Sequence, residues 1–176
     1  NAALNRSQAG QLAVELSDGN SVQAKRVAEI IQRVAPDVLV LQEFDWDAQG
    51  TGLKGFQRNY LSASQNGAKP QVYPYVYIPP VNTGQPSGLD LDGNGKLGEA
   101  GDAFGFGRFP GQYGFVVLSK YPIESNMIRT FQHFLWSKMP RAKLPLDPNK
   151  PSNGWYDEKA LSILRLSSKN HIDVPV

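Results

Sequence analysis

Val38-Leu39-Val40-Leu41-Gln42-Glu43 sets a carboxylate directly behind a run of apolar residues. A glutamate ending a buried strand must be solvated, paired or bound to a cation, because an uncompensated buried charge is costly. In open α/β sheets, ligands gather at the carboxyl ends of strands. Mg²⁺ needs only one or two protein carboxylates when phosphate and water complete its shell. Glu43 with an amide from the N-terminal segment would suffice. Two readings stand, a solvated carboxylate and a Mg²⁺ ligand.

Asp90-Leu91-Asp92-Gly93-Asn94-Gly95-Lys96-Leu97 offers a second chemistry. It follows the opening of an EF-hand-type loop, D-x-[DN]-x-[DN]-G. Oxygens of Asp90, Asp92 and Asn94 can converge on one point, Gly95 permits the sharp turn, and the Lys96 carbonyl can add a ligand. The position of the usual bidentate acid is held by Gly101, leaving Asp102, Glu99 or water to substitute. A structural Ca²⁺ is expected here, the alternative being an acidic turn without metal. Arg108 and Gln112 form a third group. Arginine grips phosphate bidentately, and the competing reading is a solvated arginine on a loop. His133 and His171 lack the partners and spacing of a zinc site.

The elements that must position these groups are partly visible. Val27, Ile30, Ile31 and Val34 fall at helical spacing, and Pro36 stops the helix. The unbroken apolar run after Asp37 predicts a strand covered on both faces. Leu53, Phe56, Tyr60 and Leu61 suggest a second helix, while Pro74, Pro79 and Pro80 confine Tyr73–Tyr77 to an edge strand or extended loop. A glycine-rich excursion then leads into a strand over 113–119, a turn at Lys120-Tyr121-Pro122 and a strand starting near Ile123. A loop is expected over 137–154, a strand over 158–168, a turn at 167–171, and a last strand from Ile172.

At 176 residues the chain is one domain or a large part of one. Its 40% hydrophobic content can build a core, and 19% charged residues are too few for a disordered polyelectrolyte. No apolar run approaches the ~20 residues that span a bilayer. The absence of cysteine excludes disulfides, a thiolate nucleophile and Cys-ligated metals. A net charge of +2 gives no strong electrostatic case for nucleic acid.

Together, the 22–34 helix, Ala35-Pro36-Asp37 and the Val38–Glu43 strand closely resemble the second motif of the endonuclease/exonuclease/phosphatase superfamily, of deoxyribonuclease-I-like fold. There, "PDV–LQE" supplies the glutamate that holds the catalytic Mg²⁺. Asn1-Ala2-Ala3-Leu4-Asn5 is similar to the end of the first motif, which implies that Asn1 serves the same metal. Tyr113–Ile123 resembles the "G-N-x-x-L-S-R-Y-P-I" strand and turn.

The resemblance implies an α/β fold, a four-layer α/β/β/α sandwich of two mixed sheets, with residues 1–176 supplying about the first half. Residues 82–111 are then a Gly-rich insertion of the kind carried by exported bacterial members, so an extracellular or periplasmic setting is expected. The implied activity is Mg²⁺-dependent hydrolysis of a phosphodiester or phosphomonoester. Glu43 is the catalytic metal ligand, with Arg108 and Gln112 on the substrate phosphate. The downstream Gly-Asp-x-Asn and Asp-His motifs do not occur in this chain. It is therefore expected to be inactive alone and to have the remainder of its domain as a partner. No membrane partner is expected, and a nucleic-acid substrate stays open. The competing reading is a calcium-stabilised, non-catalytic extracellular module.

Overall fold

Ser21 opens the longest helix by accepting a hydrogen bond from the Ala24 N–H (3.4 Å), and Ala35, in the left-handed region, closes it before Pro36. The computed structural model describes residues 1–176, the side chains of residues 150 and 151 excepted. The helices are α1 (Gln11–Glu15), α2 (Val22–Val34), α3 (Thr51–Phe56), which runs on into a π-helical turn at Gln57–Leu61, and α4 (Glu158–Leu161). The strands are β1 (Val38–Gln42), β2 (Tyr75–Tyr77), β3 (Phe115–Ser119), β4 (Arg129–Thr130), β5 (Leu146–Asp147), β6 (Lys150–Gly154) and β7 (Ile172–Asp173). The fold is α/β with antiparallel sheets. β3 lies between β1 and β2, β4 pairs with β7, and β5 pairs with β6.

One face of the β1–β3–β2 sheet carries the core. Leu41, Val116 and Leu118 meet Leu12, Leu16, Ala24, Ala28, Ile31, Phe56, Tyr60 and Leu61 from the helical layer. Phe56 sits edge-on to Phe44 and stacks on Tyr60, both at 5.9 Å between ring centroids. Such contacts add to the stabilisation from buried apolar area.

Five local readings change. The buried face of α2 is Ala24, Ala28, Ile31 and Gln32, whereas Ile30 and Val34 are 63% and 69% exposed. Gln32 turns the helix, because its amide donates to the carbonyls of Leu61 (2.9 Å) and Ala63 (2.8 Å) and accepts from the Gln65 N–H. The strand β1 is not covered on both faces: Val38 and Val40 stay 43% and 49% exposed. Their side of the sheet lines a groove of about 340 Å³ with Phe115, Val117, His171 and Ile172. Residues 158–168 start as a helix, because Asp157 caps Ala160 N–H at 2.7 Å. Only 164–166 then pair, against 134–136. The hairpin β5–β6 stands inside the expected 137–154 loop, and a 3₁₀ turn at Ser125–Met127 replaces the strand near Ile123.

Candidate active site

Glu43 is half-buried at the end of β1, with φ of +57°. Ala3 and Tyr113 are also left-handed, at +50° and +58°. Non-glycine residues enter this region at an energetic cost, which the surrounding contacts must offset. The contacts are explicit. The Ala2 N–H donates to the Gln42 carbonyl (2.8 Å), Leu4 bridges Phe44 in parallel, and the Asp45 N–H returns to Leu4 O (3.1 Å). From the other side, Phe44 N–H reaches Gly114 O (3.0 Å) and Trp46 N–H reaches Gly111 O (2.9 Å). Gly114 has no room for a side chain, since a Cβ there would lie 2.9 Å from the Phe44 oxygen.

Asp45 ties this crossing together. Its two carboxylate oxygens, almost fully buried, accept from Arg6 N–H (2.7 Å) and Tyr113 N–H (3.0 Å). Burial is the largest influence on its pKa and raises it, against the two backbone donors and the Arg6 charge. Arg6 in turn donates from Nη1 to the Asn5 carbonyl (2.7 Å) and from Nη2 to Glu15 Oε1 (2.6 Å). The result fixes the backbone of Asn5, whose Nδ2 donates to Glu43 Oε2 at 3.1 Å.

The amide beside Glu43 is therefore that of Asn5. Asn1, expected there, is exposed, and its Oδ1 accepts from the Ala3 N–H two residues on (2.9 Å). Glu43 forms no ion pair among the described residues, although Arg6 and Arg108 both belong to this region. Its Oε2 accepts only from Asn5 among them, and Oε1 accepts from none. An open carboxylate oxygen beside an amide is a hard-oxygen donor set, which suits a divalent cation such as Mg²⁺.

Asn5, Arg6, Ser7, Gln11, Arg108, Gln112 and Tyr113 line an adjoining cleft of about 270 Å³. Arg108 is exposed at its rim. Gln112 does not present its amide to the cleft as a ligand grip. Its Oε1 accepts from Arg108 N–H (2.8 Å) and its Nε2 donates to Arg6 O (2.6 Å), so it shapes the wall.

The acidic loop contributes no residue to that cleft. Ligand oxygens of Asp90, Asp92 and Asp102 come within 4.8 Å of one another, so the triad can bind a metal. Asp102 is 1% exposed and is held by the N–H groups of Leu91 (2.9 Å) and Glu99 (3.2 Å). Asp90 accepts from Gly93, Asn94 and Gly95, and these donors, Gly95 foremost, lower its pKa. The Asn94 amide is engaged by Glu99 and the Lys96 N–H. Among the described residues no side-chain bond positions the Lys96 carbonyl; the Lys96 ammonium lies 3.7 Å from Glu99.

Sequence reading missed Arg6, Asp45 and the role of Asn5. The available signal was Asp45 between the buried Phe44 and the half-buried Trp46, a carboxylate on a segment that packs inward.

The Arg6–Glu15 pair predicts a pH response. The Arg6 hydrogen bond is the largest influence on Glu15 and lowers its pKa. Its stabilisation is complete above the unfolded glutamate value and disappears as pH falls through the lower folded value. Glu15→Gln should cost about 1 kcal/mol at pH 7. Urea melts of both proteins should converge as pH drops below ~4.3. A constant difference down to pH 3 contradicts the pairing.

Residues 14–174 match the model of the Endonuclease/Exonuclease/phosphatase family. No curated protein and no solved structure matches the chain.

Proposed function

The chain belongs to the endonuclease/exonuclease/phosphatase family, whose members are generally hydrolases of phosphate esters, typically with a divalent metal, and from that premise we propose that Glu43 is the metal ligand of a Mg²⁺-dependent phosphoesterase. The observation that carries this reading is the Glu43 carboxylate, without an ion pair among the described residues, beside the Asn5 amide at a strand end. Bound there, Mg²⁺ supplies Lewis-acid polarisation of a phosphoryl oxygen and charge stabilisation for the leaving group. Glu43 and Asn5 offer oxygens, with Asn1 on the same segment as a further amide. Arg6 and Asp45 hold Asn5 in place, and Arg108 meets the substrate phosphate from the cleft rim.

The chain contains neither Gly-Asp-x-Asn nor Asp-His, the motifs that would carry the general base and position the water. The chain alone is then inactive, and the open Val38/Val40 face of β1 is where the second sheet of a four-layer sandwich packs. The test is the full-length protein with bis(p-nitrophenyl) phosphate, p-nitrophenyl phosphate and duplex DNA. Hydrolysis of at least one that requires Mg²⁺ and stops in chelator supports the reading; hydrolysis of none overturns it.

A second reading rests on the Asp90–Asp92–Asp102 cluster: a structural Ca²⁺ orders residues 90–102. Ligand at ~100 times its Kd stabilises a fold by about 2.7 kcal/mol. Thermal melts should show a Ca²⁺-dependent rise that Asp90→Ala with Asp92→Ala abolishes. An equal loss of stability in chelator contradicts calcium binding by the loop.

A further inference from the structure

Arg165 carries a charge that its surroundings do not neutralise. It lies on the 164–166 segment paired with 134–136, and its guanidinium carbon sits 3.9 Å from the centroid of the Phe104 ring. Nη1 is fully engaged, donating to Asn82 Oδ1 and to Gln85 Oε1 (3.2 Å). Asn82 is itself completely buried and anchored through Nδ2 to the carbonyls of Gln132 (2.7 Å) and Ser167 (2.8 Å). The guanidinium is thus fixed in orientation. No carboxylate pairs with it among the described residues, and burial alone moves its pKa, downward.

The side of the fork that remains open is informative. Nε and Nη2 donate to no described group, yet neither is a buried orphan, so both reach accessible space. Arg165 lines a cleft of about 310 Å³ whose walls include Phe104, Phe106, Trp136 and Tyr156. The Trp136 and Tyr156 rings meet edge-on at 6.5 Å, and Phe106 stands 62% exposed at the rim. None of these residues lines the cleft beside Glu43.

An oriented guanidinium edge accepts an oxyanion in bidentate fashion, more strongly when partly desolvated. Aromatic walls around a few fixed polar groups suit a flat ring, which gains area and stacking energy there. We propose that the cleft between Phe104 and Tyr156 is a second ligand site, for a planar aromatic group bearing an oxyanion, with the anion on Arg165 Nε and Nη2. A phosphate and a carboxylate share this chemistry, and the size of the cleft accommodates either on a ring.

The experiment is a calorimetric titration of the full-length protein in chelator, which keeps metal from the Glu43 site, with adenosine 5′-monophosphate, benzoate, adenosine and inorganic phosphate. Saturable binding of the nucleotide or of benzoate is expected, at least ~10-fold tighter than adenosine or phosphate. Nucleotide alone assigns a phosphate, benzoate alone a carboxylate, and both together the shared chemistry. Arg165→Lys keeps the charge but loses the planar fork, and should weaken binding by at least ~10-fold. Phe106→Ala tests the exposed rim without touching the Asn82 anchor, and should weaken it several-fold. Arg26→Gln, an exposed cation of α2 outside both clefts, should leave it unchanged. Failure of both anions to saturate overturns the proposal. So does wild-type affinity in Phe106→Ala, or loss of binding in Arg26→Gln.

Discussion

Replacing Glu43 by glutamine in the full-length protein is expected to lower the proposed Mg²⁺-dependent phosphoester hydrolysis by at least ~10²-fold, the scale on which loss of one charge-stabilising group in a site acts. The substitution is close to isosteric. The introduced amide oxygen still accepts from Asn5 Nδ2, where Glu43 Oε2 accepts at 3.1 Å. The left-handed backbone at +57° is as strained for glutamine as for glutamate. Stability therefore changes by less than about 1 kcal/mol, as at most partly exposed positions without a buried partner. What changes is the charge offered to a cation. Raising Mg²⁺ should recover part of the lost rate if affinity is the main loss. Wild-type hydrolysis in Glu43→Gln, at the same Mg²⁺ concentration, contradicts the role assigned to this side chain.

Gly84→Ala is the substitution with the largest expected effect on the fold. A Cβ at Gly84 would lie 1.8 Å from the Phe109 oxygen and 2.2 Å from its carbonyl carbon. These are backbone atoms, which cannot swing aside as a flexible side chain does. The residue also has φ of +69°, which costs alanine roughly 1–2 kcal/mol even in open space. The segment cannot retreat easily, because Gly84 N–H bonds Gly105 O (2.8 Å) and Thr83 O accepts from Gly111 N–H (3.0 Å). Loss of more than ~3 kcal/mol is expected, a large part of a typical domain's stability of about 5–15 kcal/mol. Gly88 provides the control: its φ is +78° and nothing lies within 4 Å of its Cβ position. Gly88→Ala should cost only the left-handed strain. Equal melting temperatures for the two variants contradict the close crossing that holds Arg108 at the cleft.

Local signals make the positioning frame readable. The helix–turn–strand unit from Val22 to Gln42 follows from a 3.6-residue period, one proline and an unbroken apolar run, all within a short stretch. The orientation of that helix is not readable, because a buried Gln32 satisfied by three carbonyls looks like a surface residue in sequence. Similarly, Leu161, Ile163, Leu164 and Leu166 suggest a strand until Asp157 caps the preceding turn. The acidic loop is legible in Asp90 and Asp92, whose spacing is local. Asp102 enters only as one substitute among several, since its burial depends on how the chain folds back on Leu91.

At the Glu43 site the decisive contacts are distant in sequence. Asn5 meets Glu43 across 38 positions, Arg6 meets Asp45 across 39, and Gln112 meets Arg6 across 106. No periodicity encodes such pairs. The glutamate stands out because a charge ends an apolar strand, whereas a local motif favours Asn1 as its amide partner. The fold instead lays Leu4 beside Phe44, which brings Asn5 to the carboxylate.

Line broadening by Mn²⁺ in an amide ¹H–¹⁵N spectrum of the full-length protein, with Ca²⁺ present to occupy the acidic loop, locates the cation directly. Substoichiometric Mn²⁺ should broaden the amides of Leu4, Asn5, Phe44 and Gly114, and Glu43→Gln should restore them. Sharp signals at those four residues throughout, or identical broadening in Glu43→Gln, means that the carboxylate at the end of β1 holds no metal.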